Sequence, residues 1–419
     1  MTREYRVVDA GQPAEVFAAL RAALADGGPA VVPRSGGLRG GSSGNGSLRG
    51  AVSDGASGSG GPRGAASGGS PESGWPGSGE RAPQNVALVI ETSGSTGVPK
   101  RIALSVDALR ASAAASAGAM GGQGQWLLAL PTHYVAGAQV LVRSLASGTE
   151  PVYYGDGHFD PLRFAELAAE LDDDQLYTSL VPVQLARIVE AAAAGAREVG
   201  AALRRFDGIL VGGQSLDPRL RERAETLGAR LLTTYGSSET AGGCVYDGVP
   251  IGTTAVRSVE GLLEISGPTL AEGYVGDEER TAASFHEDAG VRWYRTGDLG
   301  DVVDGRVTVR GRSDNVIISG GEKVLLDAVE RIVRGMPTLG EVVVVAADDD
   351  EWGQVPVVVA TGSDSIADVR DLVARELGRA AAPARIVTVA ALPRLSSGKP
   401  DRVGAARLAR VDGSASSET

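Results

Sequence analysis

The sequence predicts an α/β protein with a large N-terminal domain, built on mainly parallel sheets, and a small C-terminal α+β domain. Short apolar strands alternate with amphipathic helices from residue 86 to residue 233, as in parallel strands joined by helices. After about residue 258 strands follow one another without helices, and a second alternation begins near residue 325. A chain of 419 residues is too long to fold around one small hydrophobic core, so two domains are expected.

The large domain begins with a short folded lead over residues 1–33, which contains an amphipathic stretch around Val16, Phe17, Leu20 and Leu24. Strands are then predicted at 86–90, 126–130, 152–154, 177–178, 209–211 and 231–233. Helices are predicted at 105–119, 136–145, 160–171, 182–193 and 218–227. Ser105 is expected to cap its helix, and Asp160 with Pro161 supplies an N-cap and a first-turn proline.

Residues 35–79 differ sharply in composition, because 17 of these 45 residues are glycine and 11 are serine. Such a segment buries too little apolar surface to offset its ordering entropy. No strand or helix frames it as a glycine-rich phosphate loop would require. We therefore predict a flexible linker or disordered insertion.

The small domain is predicted to follow a hairpin in which Asp304-Gly305 joins strands at 302–303 and 307–309. Beyond it, helices are predicted at 325–333 and 366–377, with strands at 342–345, 355–359 and 386–389. The boundary falls within 311–315, which gives domains of 1–311 and 312–419.

Composition excludes several function classes. A net charge of −12 argues against nucleic-acid binding and against docking on an anionic membrane. The single cysteine cannot form an internal disulfide, and three scattered histidines do not predict a histidine-ligated metal site. No signal-peptide core or membrane-spanning apolar run is evident, so a cytoplasmic protein without membrane insertion is expected.

The first of five chemical motifs is Thr92-Ser93-Gly94-Ser95-Thr96-Gly97-Val98-Pro99-Lys100, directly after a predicted strand. Hydroxyls and glycines at a strand end make a loop whose N–H groups face phosphate oxygens, and Lys100 adds a cation. The loop lacks the Walker pattern. Taken alone, such a loop is more often an ordinary turn.

The second motif, Tyr235-Gly236-Ser237-Ser238-Glu239-Thr240, also follows a predicted strand. A carboxylate among hydroxyls suits a Mg²⁺ ion that also holds phosphate oxygens, although a capped surface turn has the same pattern. The third motif ends at Asp298, in Tyr294-Arg295-Thr296-Gly297-Asp298. An aspartate just past a glycine turn accepts hydrogen bonds from both hydroxyls of a ribose.

The fourth motif is Gly311-Arg312-Ser313-Asp314-Asn315 with Ser319-Gly320-Gly321-Glu322-Lys323, and the fifth is Pro393-Arg394-Leu395-Ser396-Ser397-Gly398-Lys399-Pro400-Asp401. In this order the five motifs, spanning residues 92–401, resemble the superfamily of acyl-CoA synthetases, luciferases and nonribosomal-peptide adenylation domains. The resemblance implies a large adenylate-forming domain, a small mobile C-terminal domain, ATP and Mg²⁺ as cofactors, and CoA as cosubstrate.

The resemblance also assigns roles to residues. The ATP phosphates would contact Thr92, Ser93, Gly94, Ser95, Thr96, Gly97 and Lys100, with Mg²⁺ at Thr96 and Glu239. The remaining nucleotide contacts would come from Gly212, Gly213, Tyr235, Gly236, Ser237, Ser238, Asp298 and Arg312. Tyr235 would pack on the adenine and Asp298 would bind the ribose. Lys399 matches the lysine that bridges the substrate carboxylate and the α-phosphate.

A second half-reaction is implied in the same way. The small domain would rotate about a hinge near Asp314 and withdraw Lys399. Rotation would bring Gly320 and Gly321 towards the site, where they would line the pantetheine channel.

Finer similarity lies in Leu130-Pro131-Thr132-His133-Tyr134-Val135-Ala136-Gly137 and in residues 238–248, which look like short o-succinylbenzoate–CoA ligases of menaquinone biosynthesis. This implies an AMP-forming acid–thiol ligase that converts 2-succinylbenzoate to 2-succinylbenzoyl-CoA, with His133 as a catalytic-site residue near the acyl pocket. Its partners would be a small carboxylic acid, ATP and CoA, with no nucleic acid; a homodimer is left open.

Two departures and three alternatives remain. The chain before the phosphate loop is short, so we expect some sheet of the longer family members, with part of the pocket wall and dimer surface, to be missing or rebuilt. Arg101 replaces a glycine. The alternatives are another acyl- or aryl-CoA ligase, an enzyme that loads a carrier protein, and a non-catalytic nucleotide- or acyl-binding relative.

Overall fold

The structure is a computed structural model that describes residues 2–25, 27–35, 81–92, 99–395 and 399–411. Apart from Ser35, the glycine- and serine-rich segment predicted to be flexible lies outside these residues. The strands of the described chain are β1 Thr2–Asp9, β2 Ala30–Arg34, β3 Arg81–Pro83, β4 Val86–Thr92, β5 Lys100–Ser105, β6 Gln125–Leu128, β7 Val152–Tyr153, β8 Leu176–Leu180, β9 Gly208–Val211, β10 Leu231–Ser237, β11 Gly242–Tyr246, β12 Val249–Pro250, β13 Ala255–Val259, β14 Leu262–Ser266, β15 Gly273–Tyr274, β16 Phe285–Asp288, β17 Val291–Val303, β18 Arg306–Arg312, β19 Val316–Ser319, β20 Glu322–Leu325, β21 Val342–Asp349, β22 Gly353–Ala360 and β23 Arg385–Thr388.

The helices alternate with these strands as the apolar pattern predicts. They are α1 Pro13–Ala25, α2 Val106–Met120, α3 Val135–Ser147, α4 Pro161–Ala169, α5 Pro182–Ala193, α6 Arg197–Arg205, α7 Pro218–Thr226, α8 Glu278–Ser284, α9 Leu326–Val333, α10 Ile366–Leu377 and α11 Arg402–Val411. The predicted caps form: Ser105 accepts a hydrogen bond from the Ala108 N–H, and Asp160 accepts one from the Leu162 N–H.

Two large sheets build the N-terminal part of the chain. A seven-stranded sheet has the order β12-β11-β10-β9-β8-β6-β7, and its strands from β6 to β10 are parallel. A six-stranded mixed sheet has the order β15-β5-β4-β2-β1-β3. Helices α1, α2 and α3 lie between the two sheets, where Leu20, Leu109 and Leu141 share one core. The other face of the seven-stranded sheet is covered by α4 to α6, through Phe164, Leu185 and Phe206.

The remaining strands form two smaller sheets. An antiparallel sheet has the order β13-β14-β17-β16, with β18 paired to β17 through the predicted hairpin. The last sheet has the order β20-β19-β22-β21, with β23 parallel to β22. Its two faces are covered by α9 and α10 on one side and α11 on the other, in cores built only from residues beyond 316.

Several elements were missed by the sequence prediction, and α8 corrects the expectation that no helix interrupts the strands between about residue 258 and residue 325. Strand β1 carries the buried Arg3, which donates hydrogen bonds to the carbonyls of Ala23, Gly28 and Gln84. In the sequence a charged residue at this position suggests an exposed terminus, but the structure buries it. Helices α6 and α11 are short and rich in arginine, and their apolar residues become evident only when they pack. Within the described chain, no helix has the length and apolarity needed to cross a membrane.

Candidate active site

The candidate site lies at the C-terminal ends of β9 and β10, an edge where α/β sheets commonly bind ligands. Gly212 and Gly213 follow β9, and Gly236 lies near the end of β10. A Cβ atom at Gly212 would lie 2.4 Å from the Thr234 Oγ1, and one at Gly236 would lie 2.2 Å from the Gly242 carbonyl oxygen. These positions exclude side chains because neighbouring strands approach so closely.

Asp298 lies on β17, opposite Arg312 on β18. Its Oδ2 accepts a hydrogen bond of 2.6 Å from the Tyr235 hydroxyl, and its Oδ1 accepts one of 3.2 Å from the Arg312 Nη1. Burial raises the pKa of Asp298, although the hydrogen bonds from Tyr235 and Arg312 oppose the shift. The structure thus brings together three residues that the motifs had placed near the nucleotide.

Lys399 reaches the same region from the C-terminal end of the chain. Its Cε lies 3.9 Å from the position that a Cβ atom on Gly213 would occupy. Desolvation, followed by the proximity of Arg312, lowers the pKa of Lys399, and Asp298 opposes the shift. The side chain still touches solvent, so it stands in an open cleft rather than in the core.

Glu239 is a buried carboxylate in a 3₁₀ turn, Ser238–Thr240, directly after β10. Its Oε1 accepts a hydrogen bond of 2.9 Å from the Tyr274 hydroxyl. The Nζ of Lys100 lies 5.6 Å from the centroid of the Tyr274 ring. Tyr274 therefore connects the lysine of the first motif to the carboxylate of the second. Ser237 and Ser238 flank this turn, and the Ser237 N–H donates to the Thr240 Oγ1.

The first motif is described only at its ends. Thr92 on β4 pairs with Lys100 on β5, so the loop between them connects two antiparallel strands. The predicted phosphate-binding residues Ser93, Gly94, Ser95, Thr96 and Gly97 lie outside the described residues. The Mg²⁺ role predicted for Thr96 therefore stays a prediction.

The donor set fits a magnesium ion that is shared with a nucleotide. No group of three or more His, Cys, Asp or Glu side chains converges among the described residues, so they build no closed metal cage. Magnesium in nucleotide sites usually takes one or two carboxylates and obtains its other ligands from phosphates and water. The buried Glu239 carboxylate would supply such a ligand.

His133 lies apart from this group. It lines a cleft of about 500 Å³ between the ends of β1, β6 and β7, together with Asp9, Asp156 and Gln184. Its ring lies tilted against that of Tyr134, with the centroids 4.1 Å apart, burial lowers its pKa, and its Nδ1 is buried without a hydrogen-bond partner in the described chain.

Gly320 and Gly321 form the two-residue turn between β19 and β20, and both have positive φ, as tight hairpins require. A Cβ atom at Gly320 would lie 2.5 Å from the Trp352 ring. The geometry explains both glycines by the turn itself, so their proposed contact with a thiol arm stays a prediction.

One charged residue was missed by the sequence prediction. Arg143 lies on α3, is 7% exposed, and pairs with no carboxylate of the described chain. Its Nη2 lies 3.5 Å from the Tyr246 hydroxyl, its Cζ lies 5.0 Å from the centroid of the Trp126 ring, and its Nε has no partner. Burial lowers its pKa. Leaving a buried cation unpaired costs several kcal/mol.

Polar neighbours surround this arginine. Gln139 donates to the Ala241 carbonyl at 2.7 Å while its Oε1 stays buried without a partner, and Tyr246 hydrogen-bonds Ser116. We call Arg143, Gln139, Tyr246 and Ser116 the Arg143 cluster. It lies behind Gly242 and Gly243 on β11, which pairs with the strand that carries Tyr235. The signal in the sequence was an arginine within an otherwise apolar helix, VAGAQVLVRSLAS.

Comparisons with known proteins agree with this arrangement. The family model described as AMP-binding enzyme matches residues 54–262, and the AMP-binding enzyme C-terminal domain matches residues 328–399. A probable 2-succinylbenzoate–CoA ligase of Mycobacterium tuberculosis is 39% identical over 339 residues, which cover 78% of this chain and 86% of that relative. The chain belongs to the AMP-binding enzyme family.

Other relatives of this AMP-binding enzyme carry similar names. A 2-succinylbenzoate–CoA ligase of Salmonella typhimurium is 30% identical over 73% of this chain and 65% of its own length. The o-succinylbenzoate CoA synthetase (MenE) from Bacillus subtilis, solved with the acyl-adenylate OSB-AMP, aligns with a TM-score of 0.66 and 26% identity over 76% of this chain and 68% of that one. These similarities confirm the predicted adenylate-forming fold and the predicted class of AMP-forming acid–thiol ligase.

Proposed function

We propose that this AMP-binding enzyme uses ATP and Mg²⁺ to activate 2-succinylbenzoate and then transfers the acyl group to CoA, in menaquinone biosynthesis. The observation that carries the substrate assignment is Arg143, a buried cation without an anionic partner among the residues that the structure describes. A dicarboxylic acid presents one carboxylate for reaction and retains a second that needs a cation. The names of the relatives support the same acid.

In the first step, a carboxylate oxygen of the acid forms a bond to the α-phosphorus of ATP, and the bond from that phosphorus to the bridging oxygen breaks as pyrophosphate leaves. Both reactants are anionic, so the step needs positive charge where they meet. Lys399 supplies this positive charge beside Gly213. The lowered pKa of Lys399 reflects the partial desolvation of its side chain in the cleft. Glu239 holds Mg²⁺, which would neutralise charge on the phosphates.

The nucleotide is held by residues whose geometry is already in place. Asp298 accepts hydrogen bonds from the ribose hydroxyls, and Arg312 and Tyr235 keep its carboxylate oriented. Gly212, Gly213 and Gly236 leave room for the adenosine because no side chain blocks the strand ends. Ser237 and Ser238 border the phosphates from the turn before Glu239, and Lys100 approaches them from β5.

In the second step, the sulfur of CoA attacks the acyl carbon, the carbon–oxygen bond to AMP breaks, and the thiol proton passes to solvent. We assign this step to a rotation of residues 312–419 against residues 1–311 near Asp314, which withdraws Lys399 and brings Gly320 and Gly321 to the thiol. The proposal is supported by the separate cores on either side of residue 316. His133, in its cleft at the end of β6, would border the acyl group.

The proposal is tested by pyrophosphate release with a panel of acids, each with and without CoA. The panel includes 2-succinylbenzoate and 4-oxo-4-phenylbutanoate, which is the same molecule without the ring carboxylate. We expect turnover that requires CoA, with 2-succinylbenzoate as the best acid. Faster turnover of 4-oxo-4-phenylbutanoate would contradict the assigned substrate while leaving the enzyme class intact.

A further inference from the structure

Asp327 lies where three segments of the chain meet. It is in the first turn of α9, and its Oδ2 accepts a hydrogen bond of 2.9 Å from the backbone N–H of Arg312. The Asn315 amide donates to both carboxylate oxygens, at 3.2 and 3.1 Å. The Arg402 Nη2 donates to Oδ1 at 2.9 Å. One carboxylate therefore holds the end of β18, the turn after it and the start of α11.

Gly311 makes this close approach feasible. A Cβ atom at Gly311 would lie 2.6 Å from both the Cβ and the Oδ2 of Asp327. Any side chain there would push the carboxylate away from the Arg312 N–H. The glycine of the fourth motif thus has a local physical reason, since it admits Asp327.

Arg402 connects Asp327 to the loop that carries Lys399. Its Nη1 donates to the Val344 carbonyl at 2.8 Å, and its Nη2 also pairs with Glu330 at 2.8 Å. The described residues just before it are tied together, because the Leu395 N–H donates to the Lys399 carbonyl and the Asp401 N–H donates to the Pro393 carbonyl. The position of Arg402 therefore fixes the base of the Lys399 loop.

The other end of the connection reaches the nucleotide site. The Arg312 side chain, whose backbone N–H binds Asp327, donates to Asp298 and to the Thr296 carbonyl. Hydrogen bonds therefore connect Asp298 through Arg312 and Asp327 to Arg402, which lies three residues after Lys399 in the chain. We propose that Asp327 is a positioning residue that holds Lys399 against the nucleotide site. The inference rests on the proposed function in assigning Lys399 to adenylate formation.

A double-mutant cycle separates this role from a purely structural one. Asp327→Ala is made in the unmodified enzyme and in Lys399→Ala, and adenylate formation is measured by pyrophosphate release with the best acid of the panel. We expect a loss of about tenfold in the unmodified enzyme and less than about twofold in Lys399→Ala, because residues that act through one another are not additive. Equal losses in both backgrounds would overturn the proposal.

Two further variants guard against a misfolded protein. Gly311→Ala leaves the carboxylate in the chain but displaces it, and we expect the same dependence on Lys399. Asp301→Ala is the matched control, because it removes an exposed carboxylate–arginine pair from the same β17–β18 hairpin without touching the path. If Asp301→Ala loses as much activity as Asp327→Ala, the effect belongs to the hairpin and the proposal is wrong.

A binding measurement keeps the inference testable without turnover. AMP affinity is measured by calorimetry for the same four proteins of the cycle. We expect Asp327→Ala to weaken AMP binding severalfold only when Lys399 is present. If the enzyme is inactive on 2-succinylbenzoate but shows this pattern of AMP affinity, the assigned substrate is refuted and the Asp327 proposal stands. Unchanged AMP affinity in Asp327→Ala would overturn the Asp327 proposal.

Discussion

The nucleotide side and the acyl side of the site treat buried charge in opposite ways. Asp298 is surrounded by its own partners, Tyr235 and Arg312, so its charge is compensated within the protein. Arg143 is more deeply buried, and its polar contact in the described chain is a neutral phenol at 3.5 Å. The first arrangement has its partners within the protein, whereas the second lacks an anion in the described chain, and we propose that the acid supplies it.

This difference indicates where substrate selectivity resides. A site whose charges are already paired within the protein suits a ligand group that all members of the family bind. Its side chains are oriented before the ligand arrives. An uncompensated buried cation favours ligands that carry the missing charge, because a neutral ligand leaves it unpaired. We infer that the acid is selected at the Arg143 cluster.

The largest expected effect is on the compensated side. Lys399→Ala should lower adenylate formation by about 10²- to 10³-fold, as expected for loss of a preorganised charge at the transition state. Thioester formation from supplied acyl-adenylate should be spared. Single-turnover assays of the two half-reactions make the comparison, and equal loss in both would exclude the role given to Lys399.

The pH dependence of the same reaction reports the protonation of Lys399. The lysine acts as a cation, and its pKa is lowered. Adenylate formation in the unmodified enzyme should therefore fall with rising pH below the ordinary lysine range. Initial rates across the alkaline range check this, and an alkaline limb that persists in Lys399→Ala would assign it to another group.

Asp298→Asn should have the next largest effect. Loss of a charged acceptor for the ribose should weaken AMP binding by about 1.5 to 3 kcal/mol. Because the pKa of Asp298 is raised in the folded protein, AMP affinity should begin to fall at a higher pH than for an ordinary aspartate as the solution is acidified. Calorimetry across the acidic range should show this fall in the unmodified enzyme and not in Asp298→Asn.

The raised pKa of Asp298 also determines how the stability of the folded protein changes with pH. A carboxyl group whose pKa is raised on folding contributes stability at pH below its unfolded pKa and loses it as pH rises through the folded pKa. The stability of Asp298→Asn relative to the unmodified enzyme should therefore increase as pH rises from the acidic range to neutral pH. An unmodified enzyme that gains no stability relative to Asp298→Asn on acidification from neutral pH would contradict the burial argument.

Two arginines provide the sharpest stability contrast. Arg143→Met should stabilise the ligand-free protein by about 1 to 3 kcal/mol, because an unpaired buried charge is replaced by an apolar side chain of similar length. Arg221→Met, which breaks pairs with Asp247 and Glu225, should destabilise it by about 0.5 kcal/mol after allowance for solvent screening. Urea unfolding compares them, and destabilisation by Arg143→Met would mean that Arg143 is compensated after all.

The smallest effect on the reaction itself is expected at Glu239. Tyr274→Phe removes one hydrogen bond to the Glu239 carboxylate. It should weaken Mg²⁺ binding by about 1 kcal/mol, which raises the Mg²⁺ concentration at half-maximal rate a fewfold. Titration of pyrophosphate release with Mg²⁺ checks this. An unchanged midpoint would show that Tyr274 does not orient Glu239.

The nucleotide side was predictable because each motif keeps its chemistry within a few consecutive residues at a strand end. Tyr235 on β10 hydrogen-bonds Asp298 on β17, and Lys399 lies close to Gly213, whereas the ligand contacts assigned to these residues stay predictions. Lysine is also rare enough to be informative, since Lys100 and Lys399 are two of only three lysines in the sequence.

The acyl side and the Asp327 path were not predictable by the same means. Arg143 meets Tyr246 across 103 residues, and Asp327 meets Arg402 across 75. Periodicity assigns such residues to helix faces, but it does not show which distant strand packs against them. The buried Arg3 on β1 was missed for the same reason.

The most direct test of the uncompensated acyl side compares two acids in two proteins. We measure kcat/KM for 2-succinylbenzoate and for 4-oxo-4-phenylbutanoate in the unmodified enzyme and in Arg143→Met. The account predicts that the enzyme prefers the dicarboxylate by about 100-fold or more, and that Arg143→Met removes most of that preference through loss of the dicarboxylate. An unchanged preference in Arg143→Met would contradict the account, because the second carboxylate would then be recognised elsewhere.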